Sequence, residues 1–410
     1  MHAEAGGNGH PGIVPDGGVV LNPARPDALY IEQVSRSTTA DPHQNGTAGA
    51  IEEGSSMGNP ESGDGPTLVL PVPARNYSPW YQWMTRLAAT RHEDPLPEED
   101  LDSLPAWKAR RRQRLVALLG QMPEPVPLDL ETLESVQCDG YRRDKVVFDS
   151  EETMSVPAYL LVPDGRVSPG AAVLACHGHG PGKSQVVGLE HTNQPNGDYA
   201  RQLVRQGYVV LAPDLRCFGE RQDWNPDDHY ACDTNLVHAV MAGWNPLAQT
   251  VWDMQRCLDV LAAHPLVDAG RIGMVGLSQG GTVTLFTAAF DERVAAAVVS
   301  GYFSSWAVAH KMPWNMCGSQ VLFDMLGKLE HEDLGALIAP RPLLIESGTD
   351  DDLFPVATAT ETVRRTRLVY DHEGGGDRLV HDVFEGGHQW HGVAAVAFLN
   401  HWLSHTPPTG

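Results

Sequence analysis

The five residues Gly276-Leu-Ser-Gln-Gly280 constrain this chain more than any other stretch. The apolar run from Ile272 to Val275 before them predicts a buried strand, and the run from Thr282 to Phe290 after them predicts a helix. A G-x-S-x-G turn between a strand and a helix lifts its serine above the edge of a sheet. Glycine at both flanking positions lets the strand and the helix approach closely. The sequence therefore predicts a nucleophile elbow that presents Ser278 in strained backbone geometry.

Ser278 is the predicted nucleophile of this turn. The amino-terminal end of the following helix favours developing negative charge, and the backbone N–H of Gln279 can donate to an oxyanion there. The alternative is a glycine-rich turn that contains an incidental serine. Because the flanking strand and helix are both in place, the pattern favours the catalytic interpretation.

The charge of the chain bears on its partners. Asp and Glu number 52 against 29 Lys and Arg, which gives a formal net charge of -23. Such an acidic chain disfavours binding to nucleic acid and to anionic membranes. No apolar run reaches the length of a membrane span, so no membrane-spanning segment is expected. A homo-oligomer is compatible with the sequence.

The cysteines and the first residues bear on the compartment. Six cysteines are scattered without C-x-x-C spacing, and several lie in apolar contexts, which favours free thiols over disulfides. The first residues lack the basic and apolar regions of a secretory signal. We therefore expect a cytoplasmic enzyme.

Three segments are predicted along the chain. Residues 1–66 are rich in Gly, Pro, Asn, Ser and Thr, which predicts a disordered extension with local order only at Val19–Leu21 and Ala28–Val34. Residues 67–135 carry tryptophans and leucines at helical spacing, which predicts a helical segment packed on the core. Residues 136–405 form the third segment, the predicted catalytic domain.

The third segment alternates strands with helices. This alternation predicts an α/β fold with a mostly parallel central sheet and helices on both faces. On the helix before the elbow strand, Asp253 and Arg256 are predicted to form a structural ion pair. The predicted strands are 145–148, 156–162, 171–176, 208–212, 272–275, 295–299, 342–345 and 379–384, and the predicted helices are 199–205, 250–263, 282–290, 356–367 and 391–403.

Two irregular, aromatic-rich insertions interrupt this pattern, at residues 217–246 and 301–334. Their composition suits lids over an apolar substrate. Simple packing over the sheet is an equal alternative for each individual residue. The candidate pocket residues are Trp224, Tyr302, Trp306 and Trp314.

Two loops at predicted strand ends carry the partners that a serine nucleophile needs. The first contains Asp351, in the spacing Gly348-x-x-Asp351-x-x-x-Pro355, with Asp350 and Asp352 as alternatives for the acid. The second carries His388 on the glycine-flanked loop after the last strand. His391 more naturally begins the final helix. Strand ends meet at one edge of an α/β sheet, and the order serine, acid, histidine is that of the α/β-hydrolase arrangement.

The strand 171–176 ends in His177-Gly-His-Gly-Pro-Gly182, a third loop at the same edge. Its glycines allow the backbone N–H of His179 to serve as the second oxyanion donor. Metal binding by His177 and His179, with His388 and His391, is a weaker alternative without an H-E-x-x-H motif or a cysteine partner. A phosphate cradle at 180–184 lacks the required spacing. We expect neither a metal nor a cofactor.

Several further motifs accompany these loops: Asp214-Leu-Arg216, Gly219-Glu-Arg221 and Ala339-Pro-Arg-Pro342. With them, the chain resembles the α/β-hydrolase superfamily, and within it the dienelactone-hydrolase and acetyl-xylan-esterase-like branch. The resemblance implies hydrolysis of a carboxylic ester of a small or medium organic molecule without a cofactor. It maps the nucleophile onto Ser278, the acid onto Asp351 and the base onto His388. The sequence departs from the acetyl-ester deacetylases, which have a His-Glu pair where this chain has His388-Gln389.

Other functions remain open on the sequence alone. The same three side chains would serve an amidase or peptidase, and hydrolysis of a carbon–carbon bond in a β-diketone also occurs on this fold. A binding protein on a hydrolase scaffold is a third alternative, which an intact set of catalytic side chains disfavours.

Overall fold

The computed structural model describes residues 18–21, 29–30, 69–71, 75–190, 194–222, 231–309 and 315–404. Two compact units divide the chain, residues 1–91 and residues 92–410. Within the predicted extension 1–66, the structure describes residues 18–21 and 29–30, and the other residues lie outside the described part of the chain.

The first unit contains a small antiparallel sheet and one helix. The sheet has the strand order β2-β1-β3, and its first two strands coincide with the stretches singled out for local order. Pro79 starts the helix, and the Ser78 hydroxyl caps it by accepting from the N–H of Tyr81 at 3.3 Å. Its Trp83 is 55% exposed, and the guanidinium carbon of Arg86 lies 5.2 Å from the centre of the Trp83 ring. The elements are β1 (Gly18–Leu21), β2 (Leu29–Tyr30), β3 (Val69–Pro71) and α1 (Pro79–Ala89).

A nine-stranded sheet forms the centre of the second unit. Its strands are β4 (Glu131–Cys138), β5 (Tyr141–Glu151), β6 (Met154–Pro163), β7 (Gly170–Cys176), β8 (Val209–Pro213), β9 (Val267–Leu277), β10 (Val294–Ser300), β11 (Leu343–Gly348) and β12 (Leu379–Phe384). The spatial order is β12-β11-β10-β9-β7-β8-β6-β5-β4. The strands from β12 to β8 pair in parallel, and β6, β5 and β4 extend the sheet antiparallel.

This strand order creates a switch point beside β7. The chain leaves β7 for β8 on one side and returns to β9 on the other, so the loops after β7 and β9 diverge. In open α/β sheets, ligands bind in the crevice that such diverging loops create at the carboxyl ends of the strands. The topology therefore places the elbow and the His177–Gly182 loop at the edge where a site is expected.

Helices cover both faces of the sheet, as the sequence predicted. Alternate residues of β7 enter two separate cores: Ala172 and Leu174 pack on one side, and Ala171 and Val173 on the other. Among the described residues, no helix is long and apolar enough to cross a membrane. The helices are α2 (Leu104–Leu119), α3 (Lys183–Val186), α4 (Tyr199–Arg205), α5 (Ala231–Ala242), α6 (Pro246–Ala263), α7 (Gln279–Phe290), α8 (Trp306–Ala309), α9 (His331–Ile338), α10 (Val356–His372) and α11 (Val393–Ser404).

Several elements differ from the sequence predictions, and three of the differences concern β4, α6 and α11. Strand β4 was not predicted, because this edge strand is exposed along most of its length and lacks an apolar pattern. Helix α6 begins at Pro246, four residues earlier than expected, because the Asn245 side chain caps it by accepting from the N–H of Leu247 at 3.1 Å. Helix α11 begins at Val393, so His391 precedes the helix instead of starting it.

Candidate active site

Ser278 lies in a strained turn between β9 and α7. Its backbone has φ 59° and ψ −116°, a conformation that costs a residue with a side chain on the order of 1–3 kcal/mol. A Cβ on Gly276 would overlap the backbone of Gly280, and a Cβ on Gly280 would overlap the carbonyl of Cys176. Both glycines are therefore required by the close approach of strand, helix and neighbouring strand. The residue itself is half-buried, so solid packing does not seal it from solvent.

His388 and Asp351 form the second part of the site. The Nδ1 atom of His388 lies 2.9 Å from Oδ2 of Asp351, whose side chain is 1% exposed. The other carboxylate oxygen accepts from the N–H groups of Leu353 at 2.9 Å and Phe354 at 3.0 Å. Both oxygens of Asp351 are thus occupied, which fixes the carboxylate and directs Nδ1–H of the imidazole toward it. The alternatives considered for the acid, at positions 350 and 352, are exposed.

The imidazole of His388 lies at the same sheet edge as the elbow. A Cβ on Gly301, the residue after β10, would lie 3.1 Å from Nδ1 of His388 and 3.2 Å from the side chain of Leu277. The N–H of Ser278 donates to the carbonyl of Ser300 at 2.9 Å, which ties the elbow to the end of β10. The structure therefore brings Ser278, His388 and the carboxylate to one edge of the sheet, although they are far apart in sequence.

The loop after β7 packs directly on the elbow. A Cβ on Gly178 would lie 3.4 Å from Cβ of Ser278 and 3.0 Å from the carbonyl of Leu277, so this position accommodates glycine best. This contact brings the backbone of His179 next to the nucleophile. Gln279, the other predicted oxyanion donor, begins α7 immediately after Ser278.

His177 holds that loop in place and is fully buried. Its Nε2 accepts from the N–H of Leu215 at 3.0 Å, which leaves Nδ1 to donate to the carbonyl of Gly178 at 2.6 Å. Burial lowers the pKa of His177, so the neutral ring is the stable form. Both ring nitrogens make hydrogen bonds within the protein, so His177 has a structural role and connects the loops that follow β7 and β8.

The loop after β8 is anchored by a buried carboxylate. Asp214 accepts from the N–H of Lys183 at 2.8 Å and from its ammonium at 2.5 Å, and it also accepts from the N–H of Glu220 at 2.9 Å. Gly182 and Gly219 pack on this carboxylate so closely that a Cβ on either would overlap it. These contacts explain why aspartate and glycines occur at these positions. They also hold in place the loop that contains Leu215, whose N–H donates to His177.

A second buried ion pair involves Asp253. Its carboxylate accepts from Arg216 at 2.8 and 2.9 Å and from Arg221 at 2.8 Å, while Arg256 pairs with Asp259 at 2.6 Å. The predicted pair of Asp253 with Arg256 is therefore wrong. Burial alone would raise the pKa of Asp253, but the two guanidinium groups outweigh it and hold the pKa at about 2.

Of the four predicted pocket residues, the structure describes two, and both are core residues. Tyr302 and Trp306 are each 1% exposed. The indole N–H of Trp306 donates to the carbonyl of Leu329 at 2.7 Å, and the Tyr302 ring lies 4.9 Å from the ring of His331 on α9. The chain after β10 folds these rings inward, so the expectation that they face substrate is wrong. Trp224 and Trp314 lie outside the described residues.

Phe354, rather than Tyr302 or Trp306, is the aromatic residue that contacts the candidate catalytic histidine. Its ring stacks on the imidazole of His388 with centroids 5.7 Å apart and an interplanar angle of 27°. Because its own N–H also donates to Asp351, one residue fixes both the imidazole plane and the carboxylate.

Two groups of side chains among the described residues lie close enough together to share a metal ion. One comprises His179, Cys232 and Cys317; the other comprises Glu346, Asp382 and His391. In the second group, Nδ1 of His391 already lies 2.6 Å from Asp382, and its ring stacks on Phe384. The four-histidine site considered from the sequence does not form, because His177, His388 and His391 have separate protein partners.

Glu346 fixes the chain that follows His388. This buried residue near the end of β11 accepts from the N–H groups of Gly392 at 2.8 Å and His391 at 3.3 Å. Burial raises the pKa of Glu346 to about 7. The carboxyl group therefore keeps its proton in the folded state over a pH range in which the unfolded chain releases it.

This shift predicts a pH dependence of stability. Between about pH 4.5 and 7 the folded state binds more protons than the unfolded state, so the free energy of unfolding should fall by roughly 3 kcal/mol as pH rises through this window. The Glu346→Gln variant should lack this pH-dependent part of the stability, and Glu385→Gln, at an exposed glutamate on the loop after β12, should retain it. Urea unfolding at several pH values measures the difference. If the free energy of unfolding varied with pH in the same way in wild type and Glu346→Gln, the raised pKa of Glu346 would be contradicted.

A family model described as the Abhydrolase family matches residues 96–373, which is more than half of the chain. The chain belongs to the Abhydrolase family. The matched range includes the elbow and Asp351, and it ends before His388.

Among curated proteins, this abhydrolase is similar to YtaP of Bacillus subtilis (strain 168), whose name describes it as a hydrolase. The two are 29% identical over 308 residues, which cover 72% of this chain and 100% of YtaP. It is also similar to the 4-O-methyl-glucuronoyl methylesterase of Phanerochaete carnosa (strain HHB-10118-sp), with 23% identity over 328 residues, 70% of this chain and 74% of the relative.

Solved structures share the fold of this abhydrolase. One, described as an acetyl xylan esterase from Bacteroides fragilis NCTC 9343, superposes with a TM-score of 0.63 and 19% identity over 76% of this chain and 83% of that chain. A glucuronoyl esterase from Solibacter usitatus gives a TM-score of 0.54 and 16% identity over 72% of this chain and 92% of that chain.

Proposed function

We propose that this protein is a serine hydrolase that cleaves a carboxylic ester of a small or medium organic substrate through an acyl-enzyme intermediate. The observation that carries the proposal is the pair of His388 with Asp351, 2.9 Å apart at the sheet edge that also presents Ser278 on a strained elbow. A nucleophile, a base and an acid that orients the base are the groups that acyl transfer requires.

The reaction proceeds in two steps. His388 accepts the proton of the Ser278 hydroxyl through Nε2 as Oγ attacks the ester carbonyl, and Asp351 holds the imidazolium through Nδ1–H. The backbone N–H groups of Gln279 and His179 donate to the oxyanion. The alcohol leaves with the proton from His388, and a serine ester remains. The same imidazole then takes a proton from a water molecule as this water attacks the serine ester. The imidazolium of His388 returns that proton to Oγ of Ser278 as the carboxylic acid leaves.

The relatives favour an ester as the bond that is cleaved. Three of the proteins to which the chain is similar are named for ester hydrolysis: the glucuronoyl methylesterase, the acetyl xylan esterase and the glucuronoyl esterase. The names of the first two concern a methyl ester of a uronic acid and acetyl esters of xylan. A carbohydrate-linked ester is therefore the first natural substrate to test, beside simple esters.

A panel of substrates tests the proposal. Purified protein is assayed with 4-nitrophenyl esters of graded acyl length, acetylated xylo-oligosaccharides, a methyl ester of glucuronic acid, a β-diketone and the anilide that matches the best ester. We expect ester hydrolysis with a clear preference for one acyl or alcohol group and much slower cleavage of the anilide. Preferred cleavage of the anilide, or of a β-diketone into two carbon-centred products, would contradict an esterase.

A further inference from the structure

The side chains of His179, Cys232 and Cys317 form a compact group beside the elbow, here called the thiol cluster. Their ligating atoms all lie within 4.8 Å of one another, and Nε2 of His179 lies 3.3 Å from Sγ of Cys317. All three come from different segments: the loop after β7, the first turn of α5, and the chain between α8 and α9. The candidate ester hydrolysis uses the backbone N–H of His179 and leaves its imidazole without a role.

Packing around the thiol cluster holds it in this arrangement. The N–H of Gly318 donates to Asp233 at 2.7 Å, and a Cβ on Gly318 would lie 2.7 Å from the carbonyl of Cys232. Such contact joins the segment of Cys317 tightly to the start of α5. Gln320 in turn donates to the Thr282 hydroxyl at 2.9 Å, which ties the same segment to α7 just after the nucleophile.

The geometry of the thiol cluster matches tetrahedral zinc. Zn²⁺ binds sulfur at about 2.3 Å and imidazole nitrogen at about 2.0–2.1 Å, which places the ligand atoms of a tetrahedron about 3.6–3.8 Å apart. The separation between His179 Nε2 and Cys317 Sγ is slightly shorter, at 3.3 Å, and no separation within the thiol cluster exceeds 4.8 Å, so small rotations of the side chains would close the site. A mixed sulfur and imidazole set selects zinc over the hard cations Mg²⁺ and Ca²⁺.

A third sulfur lies next to the thiol cluster. The Cys217 side chain is buried and interacts with that of Cys232. Its backbone has φ 72°, a left-handed conformation that residues other than glycine rarely adopt.

We propose that His179, Cys232 and Cys317 bind one Zn²⁺ ion, which ties the oxyanion loop to α5 and to the segment that follows α8. Binding converts the Cys232 and Cys317 thiols to thiolates, each of which loses one proton to solvent, and leaves the imidazole neutral. The ion fixes the imidazole of His179 and thereby the backbone of the residue whose N–H is the proposed oxyanion donor. Its role is structural, and no step of ester hydrolysis passes through it.

Cobalt titration of the reduced, full-length wild-type protein is the first test. Thiolate ligands in a tetrahedral site give Co²⁺ intense visible bands and sulfur-to-cobalt charge-transfer absorption. We expect these bands to saturate at about one ion per chain and to disappear when Zn²⁺ displaces Co²⁺, in line with their affinity order. Absence of charge-transfer absorption in the wild-type protein would overturn the proposal.

Single substitutions then assign the ligands. Cys232→Ser and Cys317→Ser should each weaken Co²⁺ and Zn²⁺ binding by at least about 100-fold. The matched control is Cys138→Ser at the end of β4, remote from the thiol cluster, and it should bind like wild type. Equal binding by all three variants would overturn the assignment, as would a Cys232–Cys317 disulfide found by peptide mapping of the unreduced protein.

The zinc site can be tested independently of the proposed ester hydrolysis. The Ser278→Ala variant should bind Co²⁺ as the wild type does, because the serine hydroxyl is not a ligand. Metal binding without ester hydrolysis would leave the zinc site standing and the esterase excluded. Ester hydrolysis by a protein that binds no metal would support the esterase and exclude the zinc site.

Discussion

Replacing Ser278 by alanine is expected to lower kcat for the best ester substrate by about 10⁶-fold, the scale of losing the nucleophile of a serine hydrolase. Without Oγ no acyl-enzyme forms, and only the oxyanion donors and substrate binding remain to accelerate attack by water. KM should change little, because the serine contributes chiefly to the transition state. Stopped-flow and steady-state assays with a 4-nitrophenyl ester measure both parameters.

A buried serine outside the site provides the control. Ser150 on β5 is fully buried, and its hydroxyl donates to the carbonyl of Met154 at 3.1 Å. Ser150→Ala removes a hydroxyl of the same kind and should retain wild-type kcat within a few-fold. Comparable activity of Ser278→Ala and wild type would exclude Ser278 as the nucleophile.

Asp351→Asn should lower kcat by about 10⁴-fold while preserving the fold. The asparagine amide presents an N–H toward Nδ1 of His388, which favours the tautomer with the proton on Nε2. That tautomer cannot accept the proton from Ser278. The amide also removes the negative charge that stabilises the imidazolium. Steady-state kinetics near neutral pH, with circular dichroism as a check on folding, measure the effect.

The neighbouring carboxylate supplies the matched control for this prediction. Asp350 is exposed, and the sequence alone left it open as the acid. Asp350→Asn changes the net charge as Asp351→Asn does, but it leaves the 2.9 Å contact between His388 and Asp351 in place. Its kcat should stay within about threefold of wild type, since surface substitutions of this kind have small effects. A larger loss in Asp350→Asn than in Asp351→Asn would reassign the acid.

The fold was predictable because its pattern is local and repeated. Apolar strands separated by amphipathic helices identified the sheet from β7 onward, and the elbow followed from two glycines around one serine. Exposed β4 was missed because an edge strand needs no apolar run. The start of α6 was misplaced because the cap at Asn245 is polar and lies outside the helical repeat.

The site was predictable where chain order and strand position define a side chain. His388 and Asp351 follow the last two strands of the sheet, and parallel strands bring those loops to one edge. Partners of charged groups were less predictable, because they depend on side-chain packing between distant segments. Asp253 thus pairs with Arg216 and Arg221, whereas helical spacing had suggested Arg256.

Aromatic residues and cysteines were the least predictable from the sequence. Tyr302 and Trp306 lie in an insertion typical of a lid, yet both rings pack into the core. Cys232 and Cys317 have no sequence spacing that indicates a shared site, because the tertiary fold alone brings them to His179. Glu346 gave a weak signal that could have been used: a carboxylate within an otherwise apolar strand.

Reaction with a fluorophosphonate, followed by peptide mapping of the adduct, tests the central claim most directly. The probe phosphonylates a serine only when a neighbouring base activates it, so the measurement does not depend on knowing the natural ester. We predict one adduct per chain, located on Ser278, absent from Ser278→Ala and formed much more slowly in His388→Ala. An adduct on another residue, or a wild-type protein that does not react, would contradict the assignment of Ser278 as a nucleophile activated by His388.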